Sequence, residues 1–297
     1  MEVFAGRFAS PAKINLGLRI LGKRPDGYHA IETILQMLDL CDWLAFRAND
    51  VGTIALTCSP PTLPTDERNL IVRAARSLQQ ARHISQGVAI TLEKRIPIAA
   101  GLGGGSSNAA TVLLALNQVW GLHCPAPVLH QLAAQLGSDV PFFLNGPTAL
   151  AQGRGEVLSP IPSPAALTGV LVNPRFGISA GWAYGQFSGR SLATDRTMAI
   201  ILRALQDQDL RLLADAIVND LEPGVAAAYP VIREMQAALR TVGAVATFLS
   251  GSGPTVCGVF SHAASVQQAI ARLMRRPEWI TIPFATLSQS PTPARRG

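Results

Sequence analysis

Pro97-Ile-Ala-Ala-Gly101-Leu-Gly-Gly-Gly-Ser106-Ser107-Asn108 is the stretch on which the reading of this chain turns. Val88, Ile90 and Leu92 alternate ahead of it, as on a half-buried strand. Ala109, Val112, Leu113, Leu116, Val119 and Trp120 follow at helical spacing, up to Gly121. Ser106, Ser107 and Asn108 are all residue types that cap a helix N-terminus. A strand, a glycine loop and a capped helix start aim unpaired backbone N–H groups and a positive helix end at an anion. Glycines at 101, 103, 104 and 105 let a phosphate approach the backbone and tolerate positive φ. The expected ligand is phosphorylated; the alternative is a glycine-rich turn that holds nothing.

The loop departs from better-known phosphate motifs. No lysine follows its last glycine, as a P-loop requires. Counting from Gly103, Ser106 stands where a dinucleotide fingerprint places its third glycine. The protein-kinase segments Val-Ala-Ile-Lys, His-Arg-Asp and Asp-Phe-Gly do not occur.

The 297 residues suit two domains or one large one. Hydrophobic content of 48% against 15% charged residues is enough for a packed core and excludes a disordered chain. A net charge of +6 favours anionic ligands, although Arg295 and Arg296 lie in the last four residues. With no dense basic run interleaved with aromatics, nucleic-acid binding has little support. Cys41, Cys58, Cys124 and Cys257 are scattered, with no paired-cysteine or His-Glu-x-x-His spacing, so neither disulfides nor a zinc site is expected. No secretory signal and no apolar run near ~18 residues is evident, and a cytoplasmic location is expected.

Along the chain, residues 12–20 and the apolar segment Met37 to Phe46 read as strands, and Pro60 to Pro64 as a loop. Leu70, Ile71, Ala74, Ala75 and Leu78 predict a helix over 69–81, and Pro127 to Leu136 a second, closed by Gly137. Three prolines in Ser159-Pro-Ile-Pro-Ser-Pro164 mark a boundary, giving domains of 1–160 and 161–297. Beyond it come a strand over 169–172, helices over 197–217 and 231–241, and strands near 244–249 and 255–260. Without strict strand–helix alternation, the fold class is α+β. The residues from Ser290 to Gly297 read as a frayed tail.

Three further segments could carry chemistry. With a side-chain period of two, Ala12, Ile14, Leu16 and Leu18 share one strand face, and Lys13 and Asn15 share the other. Alone, Lys13 is either a solvated lysine or a phosphate ligand. Asp139, in Gly137-Ser-Asp-Val-Pro141, is either a turn residue or the carboxylate that phosphoryl transfer to an alcohol needs near the hydroxyl. Leu249-Ser-Gly251-Ser-Gly253-Pro-Thr255 is either a tight turn or a second anion nest. The Asp26-Gly27 turn leaves Tyr28 and His29 beside the Lys13 strand, either as surface residues or as groups that meet a base or sugar.

In this order the segments resemble the GHMP kinases, the superfamily named for galactose, homoserine, mevalonate and phosphomevalonate kinases. Pro11-Ala-Lys-Ile-Asn-Leu16 is similar to its first motif, residues 97–108 to the second and Ser250-Gly-Ser-Gly-Pro-Thr255 to the third. Arg24-Pro-Asp-Gly-Tyr-His29, the segment from Asp66 to Ala75, Gly137 to Phe143, Gly153-Arg-Gly-Glu156 and Asn219-Asp-Leu-Glu222 match one branch, whose acceptor alcohol is linked to cytidine diphosphate. The resemblance spans about residues 8 to 285.

It implies a two-domain α+β kinase with its site in the interdomain cleft, using ATP and Mg²⁺ and binding neither nucleic acid nor membrane, as a monomer or homodimer. Pro97, Ala99, Ala100, Gly101, Leu102, Gly103, Gly104, Gly105, Ser106 and Ser107 would cradle the ATP phosphates, and Asn69 and Lys94 would border adenine. Asp139 would take the hydroxyl proton while Lys13 steadies the γ-phosphoryl. Asn15, Ser250 and Gly251 would hold the acceptor. Tyr28 and His29 would recognise cytosine, with Tyr184 on the base's other side. The direct Mg²⁺ ligands are left open. Ala180 departs from the Ser or Thr expected there. The rivals are a homoserine- or mevalonate-type kinase of the same superfamily, and a catalytically silent sensor on the same fold.

Overall fold

Alternating apolar residues build two long strands at the start of the chain. In the computed structural model, which describes residues 4–162 and 166–291, these are β1 (Phe4–Lys23) and β2 (His29–Asn49), an antiparallel pair. The turn between them is closed by Arg24 N donating to Tyr28 O (2.8 Å) and by the Asp26 carboxylate gripping the Arg24 guanidinium. Next come β3 (Ile54–Ser59), α1 (Leu70–Ala81), β4 (Gly87–Glu93), α2 (Gly104–Val119), α3 (Ala126–Leu136), α4 (Phe142–Asn145), β5 (Thr148–Gly153) and β6 (Val157–Pro160). The strands form one sheet in the order β3-β4-β2-β5-β6, with β1 on the other edge of β2. Only β3 and β4 run parallel.

A second sheet, β10-β7-β9-β8, is antiparallel throughout. Its strands are β7 (Thr168–Asn173), β8 (Ala246–Leu249), β9 (Val256–Phe260) and β10 (Ile280–Ala285). Around them lie α5 (Ala180–Gly185), α6 (Thr197–Gln206), α7 (Leu210–Ala216), α8 (Glu222–Ala228), α9 (Val231–Thr241) and α10 (Ala263–Leu273). One apolar core packs α1 to α4 on the first sheet, and another packs α8 to α10 on the second. A third joins them: Ala12, Ile14 and Leu16 of β1 meet Ile201 of α6 and Phe248 of β8. The two sheets therefore share a seam beside β1, and the fold is α+β.

The proline-rich boundary lies partly outside the described residues, at 163–165, and the tail lies outside them from 292 on. Elsewhere the structure departs from the sequence reading in ways with physical causes. Over residues 10–18, β1 has no solvated face: α2 covers one side and α6 the other, so Lys13 and Asn15 are each 4% exposed. The capping residues of the glycine loop do not cap. α2 starts earlier, with Gly103 as its N-cap, and Ser107 and Asn108 turn inward from its first turn. The single helix read over 197–217 is two, because Gln208 takes a positive φ and Asp209 caps α7 by accepting from Arg211 N and Leu212 N (3.0 Å each).

Candidate active site

The glycine loop is held by its carbonyls, which leaves its amides to the ligand. Ala99 O accepts from Ile178 N (3.0 Å), Gly101 O from Ser250 Oγ (3.0 Å) and Leu102 O from Lys13 N (2.9 Å). Three separate segments thus fix one loop, and Ala99 is kept at φ +50, a left-handed conformation uncommon for a residue with a Cβ. The first intrahelical bond of α2 runs from Ser107 N to Gly103 O (2.9 Å). The N–H groups of Gly104, Gly105 and Ser106 precede it and have no acceptor within the helix, the arrangement that attracts phosphate. Gly103 admits no other residue: its φ is +69, and a Cβ there would lie 2.8 Å from Lys13 Cγ.

Two hollows meet at this loop. A pocket of about 410 Å³ is lined by Asn69, Lys94, Pro97, Ala100, Leu102 and the loop glycines. A cleft of about 840 Å³ holds Lys13, Asn15, Tyr28, His29, Asp139 and Tyr184, with Gly251 and Ser252 at one wall. Ala99, Gly101, Gly103 and Ser106 line both. A phosphate chain lying along the loop would therefore pass from one hollow into the other.

At the junction, Lys13 Nζ donates to Asn15 Oδ1 (2.7 Å) and stands 3.5 Å from Asp139 Oδ2. Asn15 is fixed in turn, donating from Nδ2 to Thr33 Oγ1 (2.9 Å), which donates to Gly17 O (2.5 Å). An ammonium carries three N–H donors, so Lys13 can serve Asn15, Asp139 and a phosphoryl oxygen together. Asp139 follows α3, whose chain leaves the helix at Gly137, and its side chain is 35% exposed toward the cleft. A cation, an accessible carboxylate and a row of amides at one point are the groups that moving a phosphoryl to a hydroxyl requires.

At the far end of the cleft, the Tyr184 ring stacks on His29, with centroids 5.4 Å apart and an 18° tilt. The Arg154 guanidinium covers Tyr28 at 5.0 Å. A base inserted between His29 and Tyr184 would need two stacking distances, so in this form the tyrosine fills the place beside the imidazole. Burial pushes the Tyr184 phenol up, and the Asp139 charge adds to it, so the hydroxyl stays a neutral donor. Ser179, beside Ala180, is occupied as the cap of α5 and accepts from Trp182 N (3.2 Å). It also lines the cleft, and accepting as a cap leaves its O–H proton free to donate beside Ala180.

Two of the expected ligand residues face elsewhere. Ser107 is buried and its hydroxyl bonds Ser10 Oγ (2.8 Å), because the early start of α2 turns it toward β1. Ser250 is buried and spends its hydroxyl on Gly101 O, so it supports the loop and does not line the cleft. Sequence reasoning also missed Asp42, wholly buried in β2. Its carboxylate bonds the Lys94 ammonium, Arg95 N (2.7 Å), Ile96 N (2.8 Å) and Asn108 Nδ2 (3.0 Å). It ties the entry of the glycine loop to the first turns of α2. Burial pulls the Lys94 ammonium below the usual lysine range, against the opposing attraction of Asp42. The same strand carries Glu32 and Asp39, so nothing local singles Asp42 out.

Fold and site define a small-molecule phosphotransferase of the GHMP type. The GHMP kinase N-terminal domain model matches residues 69–147, and the GHMP kinase C-terminal model matches residues 201–277. A 4-diphosphocytidyl-2-C-methyl-D-erythritol kinase of Synechococcus sp. (strain JA-2-3B'a(2-13)) is 44% identical over 284 residues, covering 91% of each chain. A crystal structure of 4-(cytidine 5'-diphospho)-2C-methyl-D-erythritol kinase superposes with a TM-score of 0.82 at 32% identity, over 94% of this chain and 98% of that one. Homoserine kinase from Cytophaga hutchinsonii shares the fold, with a TM-score of 0.76 at 19% identity over 97% and 96%. The chain belongs to the 4-diphosphocytidyl-2-C-methyl-D-erythritol kinase family.

Proposed function

We propose that this protein transfers the γ-phosphoryl of ATP to the 2-hydroxyl of 4-diphosphocytidyl-2-C-methyl-D-erythritol, a step of non-mevalonate isoprenoid synthesis. The observation that carries the reading is the Lys13–Asp139 pair, 3.5 Å apart where the glycine-loop pocket opens into a cleft with an aromatic end. In the reaction the hydroxyl oxygen attacks the γ-phosphorus, the bond to the β-phosphate oxygen breaks, and ADP leaves. Asp139 accepts the hydroxyl proton. Lys13 meets the charge spreading over the phosphoryl oxygens, and the amides of residues 104–106 hold the phosphates. Asn69 and Lys94 border the adenine, Asn15 and Gly251 the methylerythritol, and Tyr28, His29 and Tyr184 the cytosine. A basic chain also suits two anionic substrates.

Among the described residues no cluster of three or more His, Cys, Asp or Glu could hold a metal ion. That fits Mg²⁺ arriving on the ATP phosphates, with few protein ligands. Ser106, which lines both hollows, and Asp139 bring side-chain oxygens, the donor type Mg²⁺ takes. The ion would neutralise phosphate charge. Domains of 1–160 and 161–297, a cytoplasmic location and a monomeric or homodimeric state complete the proposal; no described helix is long and apolar enough to cross a membrane.

The test is ADP release with ATP and Mg²⁺ over CDP-methylerythritol, methylerythritol phosphate, homoserine and mevalonate. Turnover confined to the CDP-linked alcohol is expected, and turnover with another alcohol alone would reassign Tyr28 and His29. His29→Ala should raise the KM for the cytidine substrate far more than that for ATP. Equal changes would move the base pocket elsewhere.

A further inference from the structure

Behind the cleft, residues 218–222 run between β1 and the edge of the second sheet. Leu18 N donates to Val218 O (2.8 Å) and Asp220 N to Leu18 O (2.9 Å), which lays Asn219 beside the strand that carries Lys13 and Asn15. On its other side is β8, the outermost strand of its sheet, whose outward groups have no neighbouring strand to pair with. Asn219 Nδ2 donates to Leu249 O (2.9 Å) and to Gly251 O (2.8 Å), while its Oδ1 accepts from Leu221 N (3.0 Å). Glu222 Oε2 completes the edge by accepting from Leu249 N (2.9 Å). Both N–H groups and the oxygen of this carboxamide are therefore engaged, and the residue is 4% exposed.

The turn that Asn219 holds touches the chemistry from two sides. Ser250 Oγ grips Gly101 O of the glycine loop. Gly251, at φ +53, presses on the catalytic strand so closely that a Cβ would stand 2.9 Å from Asn15 Oδ1 and 3.3 Å from Lys13 Nζ. In a trans peptide the C=O and the next N–H point opposite ways. Holding the Gly251 carbonyl at the back thus turns the Ser252 N–H toward the cleft, which Ser252 lines.

We propose that Asn219 is a positioning residue for phosphoryl transfer, the strut that fixes the 249–252 turn between the Lys13 strand and the glycine loop. The proposal rests on the kinase reading above. Asn219→Asp keeps the shape and the Leu221 bond but sets acceptors against two carbonyls. Asp220→Asn is the control: that buried carboxylate accepts from Ile20 N (2.7 Å), Ser191 Oγ (2.6 Å) and Leu192 N (2.7 Å), and holds neither glycine turn.

With ATP and CDP-methylerythritol, Asn219→Asp should lower kcat about 10²-fold, the scale of a ~1 Å misplacement at a reacting centre. The KM for ATP should rise, and that for the cytidine substrate should rise less, because the turn meets only its methylerythritol part and leaves the base end at Tyr28 and His29 untouched. Asp220→Asn should lower the melting temperature with kcat within about threefold of wild type. Asn219→Ser, which keeps one donor, should recover part of the rate.

An Asn219→Asp enzyme with near-normal kcat overturns the proposal. So does loss of kcat in step with melting temperature in both variants, or failure of every Asn219 variant to fold. Wild-type turnover on the same acceptor keeps the two readings apart. If it is absent, the kinase reading fails, and the strut is judged by affinity for a non-hydrolysable ATP analogue. That affinity should weaken about tenfold in Asn219→Asp and hold in Asp220→Asn, and equal affinities would overturn the strut.

Discussion

Two lysine–aspartate pairs stand within one site, and they are built for opposite purposes. Asp42 is wholly buried; besides the Lys94 ammonium it receives two backbone N–H groups and the Asn108 amide, so its oxygens have no capacity left. Asp139 is about a third exposed, sits 3.5 Å from Lys13 and leaves its carboxylate open to the cleft. Among the described residues Lys13 in turn bonds only Asn15 at hydrogen-bond distance and keeps donors in reserve. Saturation marks a carboxylate that holds structure, and spare lone pairs leave Asp139 free for the proton-accepting role proposed above. The contrast separates two Asp residues that share a charge and a lysine partner.

The sharpest way to break this contrast is Asp139→Asn. It keeps the shape and removes the proton acceptor, and general-base catalysis is worth ~10²–10⁴-fold in turnover. A loss of that size in kcat is expected, with a smaller fall in melting temperature than in Asp42→Asn, since Lys13 is buried but the removed charge is partly solvated. Near-normal turnover would take Asp139 out of the proton transfer and leave the electrostatics to Lys13.

Asp42→Asn should do the reverse. Its new amide would face the Lys94 ammonium and the Asn108 amide, donors against a donor, and would leave a buried cation uncompensated. Removing one partner of a buried pair costs ~3–5 kcal/mol, read here as a fall in the urea midpoint. Lys94→Met in the same chain should recover part of the loss, because it removes the stranded charge. Stability at the wild-type level with turnover lost as in Asp139→Asn would erase the distinction between the pairs.

Of the two pairs, Lys13, Asp139 and Lys94 are legible in the sequence as site candidates, and Asp42 is not. Lys13 and Asp139 could be read because each lies in a short segment whose order along the chain matches a family pattern. Periodicity gave α1 and α9 to within a residue, since Leu70, Ile71, Ala74, Ala75 and Leu78, and likewise Ile232, Met235 and Leu239, follow one helical face. Asp42 was invisible because its partners lie 52 to 66 residues away, at Lys94, Arg95, Ile96 and Asn108, and nothing local announces them. Ser107 and Ser250 were misread for the same reason. A hydroxyl in a glycine turn serves a ligand or another loop equally well, and only the packed fold decides. The burial of Lys13 escaped too, because a polar position on an alternating strand gives no sign that a second layer covers it. β5, β6 and β10 are short or carry mixed burial and were not read as strands.

A third, fully exposed pair extends the comparison to its weakest end. Asp66 accepts from Arg68 N (3.0 Å), Nε (2.9 Å) and Nη2 (2.8 Å), and its backbone oxygen accepts from Asn69 N (2.9 Å). Asn69 then caps α1 through Ile71 N (3.0 Å) and lines the glycine-loop pocket. The Arg68 guanidinium, and after it the Arg68 N–H, hold the Asp66 carboxyl at about 2, down from an ordinary 3.8. A carboxyl depressed on folding adds stability that is complete above its unfolded value and is lost as pH falls through its folded one. Asp66→Asn should therefore be slightly less stable than wild type at pH 6, and the gap between their urea midpoints should narrow by pH 3. The effect is the smallest of the three, because water screens the pair and both side chains remain exposed. A gap that stays constant between pH 6 and pH 3 would show that the Asp66 charge contributes nothing and that the turn is held by the Asn69 cap alone.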